Sequence, residues 1–219
     1  MYSLASQMVV ARPSLVTIPD LYGQGIQMLP AEVFLGSSFG GPFNILRFRY
    51  NAQKQTLRES AEDLLEVLHS IKPHTALEPC FFVTHGYGAL VLREAFRSID
   101  WSNVRTRLVM VAPPNRGCQP TKAWRAHVAR DELLTLQGVD LDMRLGKLPH
   151  LTRALIVAGT RAIPMPWTTR PVHDQLWDGQ IAVAETQMPG EYRHVTVGAP
   201  HNLVMMHPAT LLLLRDFLA

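Results

Sequence analysis

Apolar residues recur along this chain with two different periods. Short runs at residues 15–18, 43–49, 81–83, 107–112, 154–158 and 194–197 are rich in Val, Ile, Leu and Phe and bounded by Pro, Gly and Asp, as strands are. Between them the period lengthens. Leu57, Ala61, Leu64, Leu65 and Leu68 fall at helical spacing with Glu59, Glu62, Asp63 and Glu66 on the opposite face, and Pro73 stops that helix. Leu90, Val91, Ala95 and Phe96 mark the buried face of a second helix over residues 89–98. A closing helix spans 208–218.

Strands of four to six apolar residues, alternating with longer helices, predict a doubly wound α/β fold: a mostly parallel sheet with helices on both faces. With 219 residues, 47% hydrophobic and 18% charged, the chain can bury one core, so a single domain over 1–219 is expected. The formal charge of +3 comes from dispersed arginines, without a basic run for nucleic acid or a membrane surface. Cys80 and Cys118 read as free thiols of a reducing compartment. Residues 1–13 lack a signal-peptide pattern, and the longest aliphatic run, 211–214, is too short for a bilayer. A cytoplasmic protein is the expectation. The nine histidines are dispersed, no Cys/His group has metal-ligand spacing, and Gly23-x-Gly25 alone makes no phosphate loop, so no metal or cofactor is expected.

In a doubly wound sheet the ligand lies outside the carboxyl ends of the strands. That singles out the loops after Ile18, Thr84, Ala112, Ala158 and Val197. The loop after Thr84 is distinctive: a strand, the turn Thr84-His85-Gly86-Tyr87-Gly88, then a helix. This is the setting of the nucleophile elbow, Gly-x-Ser-x-Gly, where a tight turn lifts a serine above the sheet. Aligned on that pattern, Gly86 stands in the serine's place. Serine hydrolases of this type carry the acid and then the base later in the chain. Asp178, in an Asp-Gly turn, and His201, after the last strand, come in that order at strand ends. His85 and His207 are weaker candidates for the base.

These segments together resemble the lipase/esterase branch of the α/β-hydrolase superfamily. Phe82-Val83-Thr84-His85-Gly86-Tyr87-Gly88 is similar to the branch's elbow, and Pro113-Pro114-Asn115-Arg116-Gly117-Cys118 to its Thr-Pro-Asn-Arg-Gly-Ser segment. Trp177-Asp178-Gly179 and Pro200-His201, followed by Met205 and Pro208, are similar to its acid and base segments. The resemblance implies a compact α/β-hydrolase fold with a small lid-like insertion at 116–150, helical around 121–136. It gives Asp178 and His201 the acid and base places, and the amides of Leu21 and Tyr87 the oxyanion hole. Two departures accompany it: Gly86 has no side chain, and Pro19-Asp20 replaces the His-Gly that follows the first strand, putting near the oxyanion hole a carboxylate that would repel a developing oxyanion by an amount set by its orientation.

Three readings remain open. The first is a pseudohydrolase that binds an apolar acyl-type ligand or a protein partner. The second is an ester hydrolase or lyase in which the Asp178–His201 dyad activates a water in the vacated space. The third is a serine esterase whose nucleophile was changed to Gly86. Met165, Trp167 and Trp177, among Pro164, Pro166 and Pro171, are expected at an apolar pocket mouth.

Overall fold

The computed structural model describes residues 12–21, 25–52, 54–71, 79–117, 139–163 and 176–219. The expected helix around 121–136 and Cys118 lie outside them, as do Met165 and Trp167. Six parallel strands form one sheet: β1 (Ser14–Ile18), β2 (Asn44–Arg47), β3 (Cys80–His85), β4 (Thr106–Val111), β5 (Thr152–Gly159) and β6 (Arg193–Val197). Their order is β2-β1-β3-β4-β5-β6. The chain therefore runs from β1 outward to β2, returns to the other side of β1, and builds outward in the opposite direction.

The central strands are buried on both faces because helices cover both. Val16, Ile18, Phe82, Leu108, Met110 and Ile156 pack with α2 (Leu57–Ile71), α3 (Gly88–Arg97) and α4 (Val139–Leu145). The alternate residues Leu15, Phe81, Val83, Val109, Leu155 and Val157 pack with α1 (Leu29–Leu35) and the last helix, α6 (Pro208–Leu218). Between β6 and α6 lies a single helical turn, α5 (His201–Val204). Among the described residues, no helix is long and apolar enough to cross a membrane.

The expected strands and the helices over α2, α3 and α6 are observed within a few residues of their expected ends. At the sheet edge, β2 covers only Asn44–Arg47 of the expected 43–49. Phe43 bridges to Gly36 instead, and Phe48 reaches the ladder by one bond from its N–H to the Thr17 carbonyl. Helix α1 was not expected, because its pattern is mixed: Ala31 and Leu35 are buried, but so is Glu32. Leu29, Val33 and Phe34 are exposed, while Glu32 is buried, accepting from the Thr17 hydroxyl at 2.7 Å and pairing with Arg47 and Arg49.

Candidate active site

The sheet reverses its winding between β1 and β3, so a crevice opens at the carboxyl ends of these two neighbours. Their register pairs Ile18 with Thr84. Continuing the same offset by two residues sets Asp20 opposite Gly86. Gly86 occupies the turn between β3 and α3 with φ +49°, a left-handed conformation that glycine adopts without strain. Its N–H bonds to the Val111 carbonyl at 2.9 Å, and its own carbonyl accepts from Ala89 at 3.1 Å. Gly88, the next glycine, lets the turn close on β1. A Cβ there would lie 2.6 Å from the carbonyl oxygens of both Ile18 and Pro19.

The space beside Gly86 is filled by Asp20. A Cβ built on Gly86 would stand 2.2 Å from Asp20 Oδ1 and 2.4 Å from its Cγ. Oδ1 accepts the Tyr87 N–H at 2.8 Å, and Oδ2 lies 3.2 Å from His201 Nε2. His201 Nδ1 is 2.8 Å from Asp178 Oδ2. The sequence places an acid and a base here, and the structure brings both together with a second carboxylate. The expected vacant volume for a water does not exist, and the Tyr87 amide is not open. Both expectations are corrected by the position of one side chain.

Each member is anchored by backbone. Asp178 Oδ1 accepts from the amides of Gln180 and Ile181 at 2.9 and 2.8 Å, the Asp-Gly turn serving as a clamp for the carboxylate. The His201 N–H donates to the Asp178 carbonyl at 2.9 Å. Gly159, ending β5, admits this loop, since a Cβ there would lie 2.6 Å from Asp178 Cβ. The Tyr50 hydroxyl donates to the Pro19 carbonyl at 2.7 Å and fixes the segment that carries Asp20. Tyr50 and Gly159 carry no motif, and only the folded chain brings them here.

The remaining expected residues sort clearly. His85 is buried beneath the centre, its ring stacked on His201 at 4.9 Å between centroids, with Nε2 3.2 Å from the His201 carbonyl. It supports the imidazole from below. His207 caps α6, its Nδ1 accepting from Ala209 at 3.2 Å. Leu21 is half-buried and packs against the α2–α3 side of the core. Trp177 is half-buried in a bridge to Ala182 immediately before Asp178, beside exposed Leu176. Asn115, from the segment after β4, is wholly buried. It accepts from Arg93 and donates to the Thr186 carbonyl, so its task is to tie that loop to α3 and to residues 183–186.

Electrostatics follows from this arrangement. Burial alone would lower the His201 pKa, but the Asp178 charge and hydrogen bond, with those of Asp20, raise it to about 10. Burial alone would raise Asp20. Its hydrogen bond and charge interaction with His201, aided by His85 and the Tyr87 amide, overcome this and hold the carboxyl well below the usual range. His85 is pushed down to about 4, first by burial and then by the neighbouring His201 charge. At neutral pH the Asp20 carboxylate faces the His201 imidazolium above a neutral His85 imidazole.

No family model and no curated protein sequence matches the chain. Solved structures do. The mature form of the Bacillus licheniformis lipase BlEst2 superposes with TM-score 0.64 at 12% identity, over 94% of this chain and 93% of that one. In the propeptide form of that lipase the chain spans half the length. The metagenomic carboxyl esterase MGS0156 gives 0.64 at 18% identity, over 94% and 75% of the two chains. The lin2722 product of Listeria innocua gives 0.58 at 14%, over 95% and 94%. The chain has the α/β-hydrolase fold, in a form similar to those of lipases and esterases.

Proposed function

We propose that this chain is a lipase/esterase-like protein that has given up serine acyl transfer and is, toward acyl esters, a pseudohydrolase. It receives an apolar acyl-type ligand, or a protein partner, without cleaving it through residue 86. The observation that carries this reading is the Asp20 carboxylate lying where a side chain on Gly86 would project, with Oδ1 on the Tyr87 amide. An incoming ester would find no hydroxyl, and a fixed negative charge on the donor that should receive its oxyanion. Removing the serine of a triad costs on the order of 10⁶ in kcat.

The activated-water alternative is disfavoured by the same atoms, because His201 Nε2 faces Asp20 Oδ2. A serine esterase altered at one position is disfavoured too, since a serine at 86 would collide with Asp20. The glycine and the aspartate read as one coupled change. The test is a panel of 4-nitrophenyl esters of graded acyl length together with a fluorophosphonate probe. No turnover and no serine adduct are expected. Turnover that disappears in His201→Ala would overturn the reading.

A further inference from the structure

From the way charge and apolar surface are sorted between the two helical layers, we propose that the outer face of α1 docks on a lipid bilayer carrying anionic headgroups. The docking is peripheral, since among the described residues no helix is long and apolar enough to cross a membrane. It does not rest on the chemistry at Asp20, so vesicle binding and ester turnover fail separately.

The short helical turn Ile26–Met28 and α1 send Met28, Ala31 and Leu35 into the core. Their outer side is apolar as well. Ile26 is 70% exposed, and Leu29, Val33 and Phe34 are 43, 42 and 39% exposed. Ile26, Leu29 and Val33 follow one another three and four residues apart, so they form one stripe, with Phe34 beside it. Glu32, the one charged residue of α1, is buried and leaves the outer side without charge. Arginines rim the stripe. Arg49 crosses Gly25 at its start, where a Cβ would collide with the guanidinium. Arg12 lies past its end, donating to the Ser37 and Gly41 carbonyls at 3.2 and 3.4 Å. Arg47 flanks its middle through Glu32, whose single charge is shared with Arg49.

Folding gathers further arginines that are dispersed along the chain. By strand alternation, exposed Arg153 and Arg193 fall on the sheet face of Leu155 and Val195, the face that α1 and α6 cover. The exposed acids Glu59, Glu62, Asp63 and Glu66 belong to α2, on the opposite layer. The occupant of the α1 face must therefore accept apolar side chains and supply negative charge. A second copy docked about a two-fold axis would set these arginines against themselves. Nucleic acid supplies the charge, but its phosphates give four apolar side chains nothing to enter. A stable protein partner needs about 800 Å² on each side, more than four partly covered side chains present. A bilayer needs no matched surface. Apolar side chains enter it by about 5–10 Å, while the arginine stems lie along the apolar surface and carry their guanidinium groups to the lipid phosphates.

The experiment sediments the full chain with vesicles of phosphatidylcholine alone and with about one-third phosphatidylglycerol added. Binding to the anionic vesicles alone is expected at about 0.1 M salt. It should weaken at least tenfold at about 1 M, where the Debye length falls from about 10 to about 3 Å. Ile26→Ser combined with Val33→Ser changes only outward positions and should weaken binding about tenfold. Arg12→Gln should weaken it about fivefold, and Glu62→Gln on α2 should cause no loss. Circular dichroism checks that each variant folds. Phe34→Trp should add fluorescence that brominated lipid quenches, which reports the contact directly. No binding, equal binding to neutral vesicles, or binding unchanged in the double variant would overturn the proposal. So would an unquenched Phe34→Trp signal, or a dimer in light scattering that the double variant abolishes, which would give the face to a second copy.

Discussion

If Gly86 and Asp20 are two halves of one arrangement, their replacements must be strongly non-additive. Consider Gly86→Ser, Asp20→Gly and the double variant. An L-residue in the left-handed region at φ +49° costs about 1–2 kcal/mol. The new Cβ, 2.2 Å from Oδ1, also forces the carboxylate away from His201 and Tyr87. Breaking a buried charge pair costs about 3–5 kcal/mol, so Gly86→Ser should destabilise by about 4–7 kcal/mol. Asp20→Gly forfeits the same pair, about 3–5 kcal/mol. In the double variant the serine meets no carboxylate, and only the backbone strain is added to the lost pair, for about 4–7 kcal/mol. Simple addition would give about 7–12 kcal/mol, leaving a coupling of about 3–5 kcal/mol. Urea unfolding of the four proteins at pH 7, with m-values compared, measures it. Additivity within about 0.5 kcal/mol would show that Asp20 does not occupy the space beside residue 86. The double variant, with a hydroxyl under His201 and the Tyr87 amide released, is also the one expected to take up fluorophosphonate.

Stability should peak near pH 6.5. Above it the unfolded chain loses the His201 proton while the folded centre keeps it until about 10. Below it the unfolded chain protonates His85 while the folded one resists until about 4. Each limb should therefore slope by up to about 1.4 kcal/mol per pH unit, and a flat profile from pH 6.5 to 9 in chemical denaturation would refute the imidazolium assignment. Asp178→Asn should bring the His201 pKa down from about 10, seen as an earlier titration of its ring protons by NMR, with a stability loss of about 1.5–3 kcal/mol. Tyr50→Phe removes only the bond to the Pro19 carbonyl and should cost about 0.5–1.5 kcal/mol in urea unfolding. Gly88→Ala should cost more than Tyr50→Phe in the same assay, because its Cβ meets the backbone oxygens of Ile18 and Pro19, which cannot step aside.

The layered α/β architecture was legible because burial on both faces leaves unbroken apolar strands, and α2 shows an amphipathic stripe. Asp178 and His201 were legible from their order and from the turn and strand end that hold them. Helix α1 was not, since Glu32 points inward to Thr17 and Arg47 while Leu29 and Phe34 face out. Its buried face mixes Ala31 and Leu35 with an ion-paired glutamate, which blurs the hydrophobic period. Tyr50 and Gly159 were invisible for a different reason. One supplies a single hydroxyl to a backbone carbonyl and the other merely lacks a Cβ, and neither task leaves a pattern along the chain.

Asp20 is the instructive case. On the chain it is a departure from a motif, and Gly86 is another, with nothing between them to suggest a relation. The relation is made by register. Parallel pairing of Ile18 with Thr84 carries both residues past the strand ends together, into the crevice where the sheet changes direction. There the absent side chain of one is the room for the carboxylate of the other. A glycine suits φ +49° at an elbow in any case, and conformation alone would not demand it, since an elbow holds a serine under strain. The carboxylate makes the demand. Had Asp20 pointed elsewhere, His201 would have a single carboxylate partner and an open Nε2. With Asp20 in place, the imidazole lies between two carboxylates and the elbow amide is engaged.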